Sequence, residues 1–106
     1  HIPLIATLKA GVIYIKTKAG ETEIISVAGG FIEVMKEKVV ILADKAERAH
    51  EIDIDRAEEA RKRAEEAKKR AANQEDVDFT ALSAAIEKEV ARTKAAKRWR
   101  KLKNIN

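Results

Sequence analysis

Between Ile54 and Ala72, alanine recurs at positions 57, 60, 64, 67 and 71, in alternating steps of three and four. That spacing sets the five methyls along one face of an α-helix, and it suits neither a strand nor a loop. Glu58–Lys62, Glu59–Arg63, Glu65–Lys69 and Glu66–Arg70 are acid-before-base pairs at i,i+4 on the other faces, together contributing roughly 1–2 kcal/mol. An N-cap is available at Asp53 or Asp55, the latter with Glu58 three residues on. Asn73 to Asp78 has turn and cap chemistry, and a second helix is predicted from near Phe79 to near Trp99. Its expected buried face carries Phe79, Leu82, Ile86, Val90, Thr93 and Ala96. So short a link forces an antiparallel hairpin. A buried alanine methyl contributes about 0.8 kcal/mol, against about 1.5–3 kcal/mol for a leucine side chain. The hairpin is therefore expected to be thinly packed and able to move.

The residues before this hairpin have a different character. Pro3–Leu8, Val12–Ile15, Glu23–Val27, Phe31–Met35 and Val39–Leu42 are short and rich in β-branched residues, as strands are. Gly11, Ala19-Gly20, Gly29-Gly30 and Lys36-Glu37 separate them, and connections of that length favour antiparallel neighbours. Several strands are apolar on both faces, which fits a sandwich interior better than an open sheet. Gly29-Gly30 reads as a bulge or a turn needing positive φ. As a phosphate-cradling loop it lacks the lysine and the following helix. The predicted fold is α+β: an N-terminal antiparallel β-sandwich over 1–43, incomplete here, a joint over 44–53, and a C-terminal two-helix hairpin with a basic tail over 54–106.

Charge is unevenly distributed along the chain. Residues 1–89 hold 15 basic and 18 acidic side chains, whereas residues 90–106 hold seven basic and no acidic ones. Such a tail suits a negatively charged surface. The absence of cysteine excludes disulfides and thiolate metal sites. The longest apolar run, Val39 to Ala43, is far short of a membrane span. His50 has no second histidine or cysteine at ligand spacing, so it reads as a surface residue, and no metal site is expected. Trp99, between Arg98 and Arg100, reads as an anchor in a protein groove rather than a base-stacking platform.

Several segments taken together resemble the epsilon subunit of F-type ATP synthases. They are His1-Ile-Pro-Leu4, Gly29-Gly-Phe-Ile-Glu-Val34, Val40-Ile-Leu-Ala43, Ala46-Glu-Arg-Ala49 and Ile52-Asp-Ile-Asp-Arg-Ala57, followed by a hairpin with Asp76-Val-Asp-Phe79 at its bend. By that resemblance the first strands of the sandwich would precede His1. The resemblance implies a non-catalytic part of the rotary central stalk, bound to the gamma subunit and the membrane rotor ring of c subunits, with His1 a candidate rotor contact. The hairpin would lie beside the sandwich or extend along gamma into the catalytic alpha and beta subunits, where it blocks ATP hydrolysis. The implied location is peripheral, on the cytoplasmic face of a bacterial plasma membrane or on a plastid thylakoid.

Some bacterial members bind ATP in the folded-down hairpin through an Ile-Asp-x-x-Arg-Ala motif and basic residues of both helices. The matching positions here are Ile52, Asp53, Arg56 and Ala57, with Glu47, Arg63 and Arg92. Lys88 stands where the binding members usually have arginine; it keeps the charge but loses the planar fork that grips phosphate. ATP is thus expected as a regulatory ligand, with no cofactor required: Asp53 would accept from the adenine amino group, while Arg63, Lys88 and Arg92 counter the phosphates. Without a ligand, Asp53 serves as an N-cap and Arg56 as a salt-bridge partner. The docking tail implied by the resemblance comprises Arg92, Lys94, Lys97, Arg98, Arg100 and Lys101.

Two other classes fit the sequence less well. A basic-tailed nucleic-acid or protein interaction module is the alternative, but the aromatics do not alternate with the basic residues and residues 1–89 are acidic, so nucleic acid is not an expected partner. An independent enzyme finds no Ser/His/Asp set, metal cluster or phosphate loop to support it.

Overall fold

The computed structural model describes residues 2–104; the candidate rotor contact His1 lies outside the described residues. Four strands come first: β1 (Leu4–Thr7), β2 (Gly11–Lys16), β3 (Thr22–Val34) and β4 (Val39–Arg48). A 3₁₀ turn (Ala49–Glu51) leads to α1 (Ile54–Ala71) and α2 (Phe79–Leu102). The architecture is α+β, an antiparallel sheet followed by two helices packed on each other. The described strands form one sheet rather than the two of a sandwich.

β3 is the central strand. β1 and β2 pair with it in a single register, Thr7 opposite Phe31 and Gly11 opposite Val27, so they lie end to end along one edge. β4 covers the other edge from Arg48 opposite Ile25 to Val39 opposite Val34. The two strands expected at 23–27 and 31–35 are thus one continuous strand, and Gly29-Gly30 is neither a turn nor a bulge. The pairs Val27–Ala46 and Phe31–Leu42 keep the same register on either side of it. What the sequence signalled correctly was positive φ: Gly29 sits at +76° and Gly30 at +113°. A Cβ on Gly30 would collide with the Leu42 carbonyl oxygen, and one on Gly29 would come within 2.5 Å of an Asp44 carboxylate oxygen. These glycines let β4 approach while the strand passes through a conformation closed to other residues.

β4 also continues past Ala43 to Arg48, through charged residues expected to form the start of the joint. Backbone pairing with Ile25–Ala28 carries it, and most of the charged side chains there are exposed, as suits an edge strand. At the opposite end of the sheet Leu4, Phe31, Val39 and Leu42 expose 54–67% of their surface.

The alanine seam of α1 is realised. Ala57 and Ala71 are buried, Ala60, Ala64 and Ala67 half-buried, and the charged residues between them mostly exposed. Asp53 is the N-cap, its carboxylate accepting from the Arg56 N–H at 3.2 Å. Asp78 caps α2 by accepting from the Ala81 N–H at 3.0 Å.

Of the face expected to be buried on α2, Ala96 is in the core and Leu82, Ile86 and Thr93 are half-buried, but the fully buried set is otherwise different. Glu89, Ala91, Ala95 and Ala96 are its buried residues, while Phe79 and Val90 remain over 40% exposed. The reason is geometric: α2 packs on α1 on one side and on β2 and β3 on the other. A helix pressed between two partners buries its small residues, where backbones approach most closely. The resulting core joins Ile24, Ala49, Ile52, Ala57, Ala95 and Ala96, with Val12, Ile54 and Trp99 packed against it. One strand, the turn and both helices meet there, so the hairpin is folded against the sheet.

Gly30→Ala is expected to destabilise the chain in urea unfolding by at least about 2 kcal/mol, combining backbone strain with steric overlap. Gly20→Ala, at φ +85° with open space around it, should cost only about 1–2 kcal/mol. Equal losses would contradict the account of β3.

Candidate functional site

Strand register determines which charged residues meet the hairpin. Val12 pairs with Ser26 and Tyr14 with Ile24, and Ser26 in turn faces Glu47 on β4. Opposed residues share a sheet face, so Glu47 stands on the face that α2 covers. There it meets Arg92, whose Nη2 donates to Glu47 Oε2 at 3.2 Å and whose Nε lies 2.7 Å from Oε1. Arg92 also donates from Nη1 to Glu89 at 2.6 Å, and Lys88 Nζ lies 3.5 Å from the other Glu89 oxygen. Burial disfavours the Arg92 charge, but its bonds to Glu89 and Glu47 outweigh that and raise its pKa above the ordinary arginine value. Two acids and two bases thus form a charge-balanced bridge from β4 to α2.

Glu89 is the member of this network that sequence reasoning missed. It is only 5% exposed, and it joins Lys88 to Arg92. Its i,i+3 spacing from Arg92 was a visible signal, but an acid in the middle of α2 reads as solvated until the sheet is in place.

The other candidate nucleotide residues are distributed around this bridge. Ile52 and Ala57 belong to the hydrophobic core. Asp53 and Arg56 form a local pair at the start of α1, with Nε to Oδ2 at 3.8 Å. Arg63 is exposed along α1. A cavity of about 420 Å³ opens beside Asp53, walled by Ile52, His50 and Trp99. The structure therefore brings Glu47, Lys88 and Arg92 into one network and places Asp53 at a cavity. Any phosphate approaching Arg92 must compete with two carboxylates already bound to it.

The tail positions are the last turns of α2, which remains helical to Leu102. Lys97 reaches Glu58 on α1 at 3.1 Å, and this bond, with the lysine charge, lowers the Glu58 pKa. The Arg98 guanidinium lies 5.9 Å from the Tyr14 ring centroid. Lys94, Arg100 and Lys101 are exposed. Trp99 packs within its own chain, with its ring 5.9 Å from that of His50. Among the described residues no three His, Cys, Asp or Glu side chains gather as metal ligands, and no helix is long and apolar enough to cross a membrane.

Residues 1–49 match the family model for the β-sandwich domain of the ATP synthase delta/epsilon chain. The epsilon chain of Priestia megaterium is 56% identical over 63 residues, covering 59% of this chain and 46% of that protein. The epsilon chain of Moorella thermoacetica is 42% identical over 96 residues, covering 91% and 70%. That of Chromohalobacter salexigens is 39% identical over 100 residues, covering 94% and 70%. The chain spans about half to two thirds of the length of the first curated relatives it matches. A chain in a cryo-EM structure of the Euglena gracilis mitochondrial ATP synthase shares the fold, with a TM-score of 0.64 at 22% identity over 92% of this chain and 59% of that one. On the strength of the relatives that match along nearly its whole length, this chain belongs to the ATP synthase epsilon chain family.

Proposed function

We propose that the chain is the regulatory, non-catalytic element of a rotary ATP synthase stalk. Its sheet binds the gamma subunit and the ring of c subunits, and its hairpin gates ATP hydrolysis by leaving the sheet and reaching the catalytic alpha and beta subunits. The complex holds it peripherally at the membrane. The observation that carries this reading is the contact between hairpin and sheet, in which alanines supply much of the apolar packing and the Glu47–Arg92–Glu89 bridge supplies the polar link. Small methyls give little adhesion per contact. A part-exposed ion bridge is weakened by salt and open to competing ions. Such a seam can be opened by a partner that offers more.

ATP is the proposed ligand of the folded state. Its phosphates would take over Arg92 and Lys88 from Glu47 and Glu89, while Asp53 receives the adenine amino group at the cavity beside it. A ligand bound only by the folded hairpin shifts the equilibrium toward that form in proportion to its saturation. Extended, the hairpin would present Lys94, Lys97, Arg98, Arg100 and Lys101 to an acidic surface of the catalytic subunits.

Deleting residues 90–106 in the assembled complex is expected to raise ATP hydrolysis severalfold while leaving assembly, which rests on the sheet, intact; unchanged hydrolysis would contradict the inhibitory role. Asp53→Ala and Arg92→Ala are each expected to weaken ATP binding by about tenfold or more, the loss of one or two charge-assisted hydrogen bonds. Calorimetry giving the wild-type affinity would remove those residues from the site.

A further inference from the structure

One long side of α2 is mostly exposed. Phe79, Ile86, Val90, Lys94, Lys97 and Lys101 follow one another at steps of seven, four, four, three and four, a spacing that sets them in one line on a helix. The line is apolar over its first half and cationic over its second, and it runs for about 33 Å at the helical rise. Phe79 is 42% exposed and Val90 45%. Neighbouring elements widen the line into a face. Phe79 and Ile86 share one shallow hollow with Lys68 and Lys69 of α1, and Val90 and Lys94 share another with Tyr14 of β2 and Arg98. Tyr14 is 49% exposed. None of the residues proposed to hold ATP lines either hollow.

Charge is concentrated on this face. Six exposed cations stand on it, Lys68 and Lys69 from α1 and Lys94, Lys97, Arg98 and Lys101 from α2. Acids are fewer: Glu58 pairs with Lys97 at 3.1 Å, Glu65 stands 3.8 Å from Arg61, and Glu87 lies beside Val90 and Lys94. With Arg61 included, seven bases face three acids, a surplus equal to the formal net charge of the entire chain, +4. The rest of the molecule is therefore neutral in sum. Five of the six exposed cations are lysines, compact point charges that impose no planar hydrogen-bond geometry. The molecule is also a thin plate, its Cα positions spanning 51 × 41 × 13 Å. Three packed elements side by side cover about 20 Å, more than the depth of the plate, so the face is one of its broad sides.

We propose that this face docks on an anionic lipid surface. Basic side chains clustered on an amphipathic helix are drawn to acidic headgroups, each worth roughly fivefold in partitioning. Lysine stems lie along apolar surface while their ammonium groups reach the headgroups. Phe79, Val90 and Tyr14 enter the interfacial layer, where aromatic and aliphatic groups gain by leaving water. An acidic protein would have to match cations set on two helices at fixed separations. A fluid leaflet, whose headgroups rearrange, fits any spacing and a flat side. Nucleic acid would gain nothing from the apolar half of the line. The lipid binding does not rest on the proposed function.

The test is sedimentation of the full chain with vesicles of phosphatidylglycerol and phosphatidylcholine in equal amounts, beside vesicles of phosphatidylcholine alone. Binding to the anionic vesicles should fall steeply with salt and exceed that to the neutral ones by at least about tenfold. Lys94→Gln combined with Lys101→Gln should weaken it by about tenfold or more. Lys36→Gln combined with Lys38→Gln, an equal charge change in the β3–β4 turn, should alter it by less than about twofold. Val90→Ser should weaken vesicle binding about threefold and leave binding of polyglutamate, a soluble polyanion with no apolar layer, unchanged. All of these side chains are exposed, so the thermal midpoint of the free chain should hardly change. Sedimentation no greater with anionic than with neutral vesicles would overturn the proposal. Equal weakening by the two lysine pairs would do the same, as the mark of general charge attraction. Tighter binding of polyglutamate or of duplex DNA, lost with the Lys94/Lys101 pair, would assign the face to an acidic polypeptide or to nucleic acid and overturn it likewise.

Discussion

The fold depends on how closely α2 can approach the sheet. Ala95 and Ala96 are almost fully buried against Ile24, Ala49, Ile52 and Ala57, and larger side chains at the alanine positions would push the layers apart. Closeness has a cost, because small side chains remove little apolar surface from water. The contact is geometrically specific and energetically thin. That combination suits an element required to dock in one orientation and still come away.

Polar groups add direction to this contact. Arg92 reaches across to Glu47 on β4 and along its own helix to Glu89; Lys97 ties α2 to α1 through Glu58. Together they fix α2 between its two neighbours. Because such bonds can be exchanged for bonds to phosphate or to another protein's carboxylates, they hold the folded form without making it permanent. The proposed nucleotide site draws on cations of this same helix, Arg92 and Lys88, beside the sheet. A ligand there would act on the equilibrium that these bonds hold.

Much of this arrangement was visible in the sequence, for reasons that can be named. The α1 seam was legible because a single-partner helix obeys the 3.6-residue period; its cap was narrowed to Asp53 or Asp55, and that of α2 only to the polar segment 73–78 that ends in Asp78. The burial of α2 was not, since a helix held from two sides buries small residues in place of a bulky stripe. β3 appeared as two strands because Gly29-Gly30 normally punctuates; here the glycines absorb positive φ inside a strand whose register continues. The Glu47–Arg92 pair spans 45 positions, and no local pattern connects residues so far apart. Only the resemblance brought them together beforehand, and it offered nothing about Glu89.

The most direct test of the central claim, that the hairpin adheres to the sheet weakly enough to be released by a partner or ligand, is native-state hydrogen exchange resolved by residue. Amides in the middle of α2, around Ala91 to Ala96, should open well below the free energy at which β3 amides around Ile24 to Ala28 exchange, and a bound phosphate ligand should raise their protection. Protection of α2 equal to that of β3, unchanged by any ligand, would contradict the account.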